Sequence, residues 1–323
     1  MDETPNILKA GGLEVAYPQA LEFESQQMSV FWLPDEIKLE KDIQDILVNM
    51  PESERHGLIT VLRLFTQYEV RAGEEFWGTR VKSIFKRHEI QDMATCFSMA
   101  EQCIHKKFYN KINELLHLNT DEFHNSYLND ETLSARMEFI DSAISDPDNL
   151  YALGTFAMVE GGVLYSNFSF LKHFQSQGKN KVKNLVAGIQ FSLRDENIHH
   201  LAGCWLFRQL LLESKLTPEN QIALYERIYT AAEKIREHEH RIVDMIFEKG
   251  RIEGITPHQM KNFVDSRIDL CLENLGLRAQ FKPASNPIAE WFYLGISQTI
   301  IHDFFQNVGN QYNRNWSEES FNW

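Results

Sequence analysis

Glycine and proline are unevenly spread along this chain of 323 residues, and the gaps between them limit what it can fold into. No glycine falls between Gly78 and Gly154, where Pro147 is the one proline, and no proline falls between Pro147 and Pro218. Both residues break helix interiors and mark turns, so stretches this long without them predict long helices. Apolar spacing agrees. From Gly57 to Phe85, residues Leu58, Val61, Leu62, Leu64, Phe65, Tyr68 and Val70 recur in steps of three and four, as one buried helical stripe requires. The same holds from Met93 through Leu116. Further helices are read at about Asp35 to Asn49, Leu133 to Ile144, Leu150 to Phe174, Lys181 to Leu212, Pro218 to Lys249, Pro257 to Leu275 and Pro287 to Phe305. Pro34, Pro51, Pro218, Pro257 and Pro287 lie near starts, where a missing N–H is harmless. With no Asn-Gly or Asp-Gly hairpin signal, the chain reads as all-α.

Charge narrows the partners. Lys and Arg total 32 against 46 Asp and Glu, a net charge of −14, so nucleic acid and anionic membrane are not expected partners. Cys96, Cys103, Cys204 and Cys271 form no C-x-x-C pair, which fits reduced thiols, and MDETPNILKAGG is not a secretory signal. A cytoplasmic location is expected.

The chemistry lies in carboxylates placed where a core should be. LYALGTFAMVEGGVLYSNFSFL, from Leu150 to Leu171, contains one charged residue, Glu160. A membrane span would put that acid at mid-bilayer without basic anchors, so a buried core helix is preferred. Burying an ionised carboxylate is unfavourable unless it is paired or bound to a cation. NLVAGIQFSLRDENIHHLAGCWLF places Glu196 and His199 three apart on one helix face. MATCFSMAEQCIHKKFYNKINELL offers Glu101, Gln102 and His105, and the preceding helix supplies Glu69 as the one acid on its apolar stripe. A lone Glu-x-x-His spacing is weak, because solvated helix faces carry many. Four helices that each bring a carboxylate, two of them with a histidine, match the recipe of di-metal carboxylate bundles, in which oxygen and imidazole donors suit iron or manganese. Two divalent cations would also neutralise the buried acids. The bland alternative is a helical bundle with scattered buried ion pairs.

FWLPDEI near the start, Glu-Gln-Cys-Ile-His followed by KKFYNKINELL, the Glu160 helix and RDENIHH together resemble the radical-generating small (beta) subunit of class I ribonucleotide reductase, over about Phe31 to Phe305. The resemblance implies a ferritin-like helical bundle with four ligand-bearing core helices and additional flanking helices. It implies metal ligands Glu69, Glu101 or Gln102, His105, Glu160, Glu196 and His199, and two metal ions per chain, iron and/or manganese. Tyr109 matches the residue that stores a tyrosyl radical, Trp32 the buried tryptophan of the electron-transfer path, and Asp195 the acid joining that tryptophan to a ligating histidine. Tyr312 is the best match to the tail tyrosine that relays the radical between subunits. The implied path runs from Tyr109 through the metal site, His105, Asp195 and Trp32 to the tail.

Two departures bear on the ligands. The family carries Glu three residues before the first histidine, where this chain has Gln102, with Glu101 one residue earlier. Glu101 is preferred, since a carboxylate suits a hard cation and a one-residue helix bulge would bring it to the site. Glu69 stands where Asp is commoner.

The implied function is a homodimeric small subunit of ribonucleoside-diphosphate reductase. It activates an oxygen species and hands a radical to a large catalytic subunit, reached through the C-terminal tail, that reduces ribonucleotides to deoxyribonucleotides. Whether a flavoprotein activase takes part is left open. Alternatives are a ferritin-like di-metal oxidase or monooxygenase, and a metal-free or metal-poor variant of the family. Length alone predicts about two domains. Because helices from Glu69 to His199 must meet at one site, we expect one helical domain over 1–305, with an N-terminal arm over 1–30 and a docking tail over 306–323.

Overall fold

The computed structural model describes residues 4–176 and 178–293. Tyr312, the tail over 306–323 and most of the helix expected from Pro287 lie outside the described residues; residues 287–293 are helical.

Nine helices of nine residues or more build the described fold. They are α1 (Pro18–Ser29); α2, with body Glu52–Val70 and a π-helical continuation Arg71–Val81; and α3, made of His88–Met99, π-helical Ala100–His105 and Lys106–Leu115. Then come α4 (Asp121–Asn129), α5 (Glu131–Ser145), and α6, made of Asn149–Met158, π-helical Val159–Val163 and Leu164–Lys172. The last are α7 (Lys183–Ser214), α8 (Pro218–Ile246) and α9 (Pro257–Asn274). Among the described residues there is no strand, only an isolated bridge between Ile252 and Ile255.

The helices start where capping chemistry allows. Asp130, Asp148 and Thr217 accept N–H bonds at the starts of α5, α6 and α8. Thr256 and Gln259 form a reciprocal capping box at α9, whose first residue is Pro257. α2, α3, α6 and α7 pack around one interior, with α6 running along α7 and α3 against the π-helical end of α2. α6 is buried along almost its whole length, as its sequence requires, and no helix among the described residues is long and apolar enough to cross a membrane.

One expected helix is corrected. Asp35 to Asn49 does not form a single helix but breaks into 3-10 turns at Pro34–Glu36 and Leu39–Asp42 and a short π turn at Asp45–Asn49. The break serves the N-terminus of α7. Asp42 accepts from the Leu185 N–H at 2.6 Å and from Asn184 at 2.8 Å, and Asp45 accepts from the Val182 N–H at 3.0 Å. These acids meet the positive end of a 32-residue helix that has no local side-chain cap. Two helices, α1 and α4, fall where periodicity gave no signal.

Candidate metal centre

Glu69 is the penultimate residue of the α-helical body of α2, one position beyond Tyr68 on the stripe that buries Leu58, Val61, Leu62 and Phe65. Opposite it, α3 is π-helical over Ala100–His105. A π turn is wider than an α turn, so residues four apart keep to one face. Glu101 and His105 both point inward, and the His105 Nδ1 to Glu101 Oε2 distance is 3.0 Å. Gln102 turns away and donates to the Ser98 hydroxyl at 2.8 Å. Gly73 makes the approach of α2 and α3 feasible: a Cβ there would lie 2.7 Å from the Glu101 Cβ and 2.9 Å from the Gln102 Cγ. α6 presents Glu160 from its own π segment, and α7, regular throughout, presents Asp195, Glu196 and His199.

All six candidate ligands are fully buried. They form two overlapping sets, Glu69, Glu101, His105 and Glu196, and Glu101, Glu160, Glu196 and His199, with ligand atoms within 4.8 Å of one another in each. Glu101 and Glu196 belong to both. His105 Nδ1 lies 3.5 Å from Glu69 and 3.3 Å from Glu196; His199 Nδ1 lies 2.6 Å from Glu101 and 3.9 Å from Glu196.

Each imidazole is oriented from behind. His105 Nε2 donates to Asp195 Oδ2 at 2.9 Å, and the same oxygen accepts from the indole N–H of Trp32 at 2.9 Å. His199 Nε2 donates to Gln27 Oε1 at 3.1 Å. Both Nδ1 atoms are thereby aimed into the cluster. Glu160 is held differently, accepting from Trp77 at 2.8 Å and from the Tyr68 hydroxyl at 3.1 Å. Gln27, Tyr68 and Trp77 escape sequence reasoning: Gln27 arrives on α1 by tertiary packing, and the two aromatics look like ordinary core.

The electrostatics explain why this arrangement needs cations. Burial, reinforced by the Glu101 charge, pushes Glu69 and Glu196 well above the usual carboxylate range. Burial also pushes Glu160 up. For Glu101, burial acts the same way but is outweighed by His105 and His199, so it stays well below that range. Apart from the close imidazole contacts above, both oxygens of Glu69 and of Glu196, Glu101 Oε1 and His199 Nδ1 form no regular hydrogen bond. Buried oxygen acceptors at this density, with two imidazoles, fit a pair of divalent first-row ions, which would replace shared protons.

Tyr109 is fully buried one turn beyond His105, its ring stacked on Phe65 with centroids 4.3 Å apart and edge-on to Phe108 at 5.1 Å. Its hydroxyl has Ser192 as its polar neighbour, without a well-formed hydrogen bond, and burial followed by the Glu69 charge raises its pKa well above the ordinary value. Trp32 is 2 % exposed, against Phe108 and Phe191.

The comparisons with known proteins agree with this geometry. The family described as "Ribonucleotide reductase, small chain" matches residues 13–287. A probable ribonucleoside-diphosphate reductase small subunit of Invertebrate iridescent virus 3 is 23% identical over 317 residues, covering 92% of this chain and 82% of the viral one. The ribonucleoside-diphosphate reductase subunit beta of Bacillus phage SPbeta is 25% identical over 304 residues, covering 90% and 88%. Among solved structures, the dimanganese(II)-NrdF of Streptococcus sanguinis superposes with a TM-score of 0.75 at 20% identity, covering 87% of this chain and 98% of that one. A putative class I ribonucleotide reductase from Bacillus halodurans gives 0.77 at 19%, covering 86% and 99%. A ferritin-like fold, paired ligand sets and a family match across most of the length agree, and the chain belongs to the ribonucleotide reductase small-chain family, as a class I small subunit.

Proposed function

We propose that Glu69, Glu101, His105, Glu160, Glu196 and His199 hold two metal ions, iron, manganese or one of each, and that Tyr109 stores an oxidising equivalent as a tyrosyl radical for a large catalytic subunit. The carrying observation is the pair of overlapping ligand sets, which share Glu101 and Glu196 and leave buried oxygens without hydrogen bonds. Bound there, the ions would supply the oxidising equivalents drawn from an oxygen species.

The chain's own residues prepare for that chemistry. Oxidising Tyr109 removes one electron, which the bound ions would take up, and the phenolic proton, which the buried carboxylates would accept, Glu69 being the charge that acts most on the phenol; the apolar walls of Phe65 and Phe108 keep water from quenching the radical. Asp195 keeps the His105 Nδ1 atom directed at the cluster and stands ready to take the Nε1 proton of Trp32 when that indole gives up an electron. These contacts support His105, Asp195 and Trp32 as the outward path.

A small subunit of this class works with a large one, and we assign that docking to the tail over 306–323, with Tyr312 as the relay. We further propose a homodimer in the cytoplasm, one helical domain over 1–305, and a flavoprotein activase as an added partner. Electron paramagnetic resonance on metal-loaded, oxidant-treated protein tests the reading. A tyrosyl signal that disappears in Tyr109→Phe is expected; full metal occupancy with no tyrosyl signal would overturn the radical assignment. Deleting Gln311 to Trp323 is expected to abolish large-subunit binding and leave metal content unchanged.

A further inference from the structure

Glu160 sits in a π turn, and a helix that changes its pairing register there leaves backbone carbonyls poorly served by axial N–H groups. Such carbonyls cannot stay buried and unpaired at low cost. Three carbonyls in or beside the turn accept from buried side chains of three other helices. The Ala157 carbonyl, just before it, accepts from His200 Nδ1 of α7 at 2.7 Å. The Gly161 carbonyl accepts twice from Arg267 of α9, from Nε at 3.1 Å and Nη2 at 2.8 Å. The Val163 carbonyl accepts from Arg136 of α5 at 3.2 Å.

Each donor is itself fixed. Asn274 donates to His200 Nε2 at 2.9 Å, which makes that nitrogen the acceptor and leaves the proton on Nδ1, facing Ala157. Arg136 is paired with the buried Glu239 at 2.9 Å. Arg267 packs its guanidinium 3.7 Å from the centre of the Tyr165 ring and donates to the Tyr293 hydroxyl at 2.9 Å. Residue 161 must be glycine for this to close, because a Cβ there would collide with His200 Nδ1 and lie 2.6 Å from the Cys271 Sγ.

We infer that His200, Arg267 and Arg136 are positioning residues that hold the π turn of α6 open, and so hold Glu160 in the second ligand set. The inference rests on the metal-centre reading for its function and on backbone hydrogen bonds for its structure, and the two parts can fail separately. Arg267 is the strongest of the three, with two bonds to the carbonyl beside Glu160. The set containing Glu69 and His105 takes no ligand from this turn and meets it only through Glu101 and Glu196, the ligands the two sets share.

The test uses the full chain, metal-free and titrated with Mn(II), with bound metal counted after desalting and backbone hydrogen exchange followed by mass spectrometry. In Arg267→Leu, one of two Mn(II) equivalents is expected to weaken at least tenfold while the other stays within about twofold. Arg267→Lys is expected to recover part of the loss. Peptides covering 157–164 should exchange faster in Arg267→Leu and those covering 100–105 should not. Asn274→Leu, which removes only the lock on the His200 tautomer, gives the same pattern in milder form and carries the test if Arg267→Leu does not fold. Unchanged exchange over 157–164 in the folded variants would overturn the structural part, and equal weakening of both equivalents would overturn the assignment to Glu160. If the wild-type chain takes up no Mn(II), the metal reading fails, and the exchange pattern alone decides whether the donors hold the turn.

Discussion

Trp32 and His105 donate to a single oxygen atom, Oδ2 of Asp195, each at 2.9 Å. A residue from the extended segment after α1 is thus joined to an inward-facing imidazole of α3 through one carboxylate of α7. The shared atom makes the indole and the imidazole electrostatically interdependent, since a proton gained by Asp195 weakens its hold on both.

Asp195→Asn should therefore separate two roles. The amide removes the negative charge that fixes the His105 tautomer, and partners behind a metal ligand are worth roughly 10- to 100-fold in affinity or activity. Turnover with the large subunit is expected to fall by at least that factor, while the tyrosyl signal per bound metal pair stays near wild type. Equal loss of signal and turnover would place Asp195 in metal assembly instead of transfer.

Substitutions at the neighbouring positions 101 and 102 should have opposite outcomes. Glu101→Gln removes a carboxylate that belongs to both ligand sets, and Mn(II) stoichiometry is expected to drop from two to one or none. Gln102→Ala loses only a hydrogen bond to Ser98 and is expected to retain both ions, with a stability cost of about 1 kcal/mol or less. Metal counting on both variants reads the difference directly.

Tyr109→Phe should abolish the tyrosyl signal without destabilising the chain. The hydroxyl is buried and at most weakly bonded to Ser192, so deleting it removes a desolvated polar group and keeps the Phe65 stack. Unfolding free energy is expected to stay within about 1 kcal/mol of wild type or to rise. A drop of several kcal/mol would mean the phenol has a structural partner.

Lys172 gives the clearest pH dependence away from the centre. Burial lowers its pKa from 10.5 to about 7, although it donates to Gln190 at 2.6 Å and to the Phe292 carbonyl at 3.2 Å. A lysine with a depressed folded pKa penalises folding while it must be protonated, so the unfolded state binds more protons between the two values and stability rises with pH there. Between pH 7 and 9 the contribution is roughly 2 kcal/mol, from about 1.4 kcal/mol per unit of pH. Chemical denaturation across that range should show the rise in wild type and its absence in Lys172→Met.

Legibility of the fold and site tracked the reach of each signal. Long helices could be read because breakers are missing and apolar residues repeat along one stripe, both local properties. The break at Asp35 to Asn49 could not, because it is imposed by the distant N-terminus of α7, which needs Asp42 and Asp45. The structure brings together the six side chains: Glu101 with His105 and Glu196 with His199 were chosen because residues three or four apart on a helix share a face, and Glu69 and Glu160 because each is the one acid in an apolar stretch. Gln27, Tyr68 and Trp77 had no such spacing, and each meets its partner only through tertiary packing.

The π segments of α2, α3 and α6 also bear on how such chains diverge. Each residue added to a helix rotates the downstream portion by about 100°, and an inserted residue absorbed in a wider turn spares the rest of the rod that rotation. A lineage can in this way shift an acid from three to four positions before its histidine and keep the apolar stripe on either side in register. Fixed spacing is then an unreliable ruler at this centre, and position in space, not position in the string, is what the acid at 101 has kept.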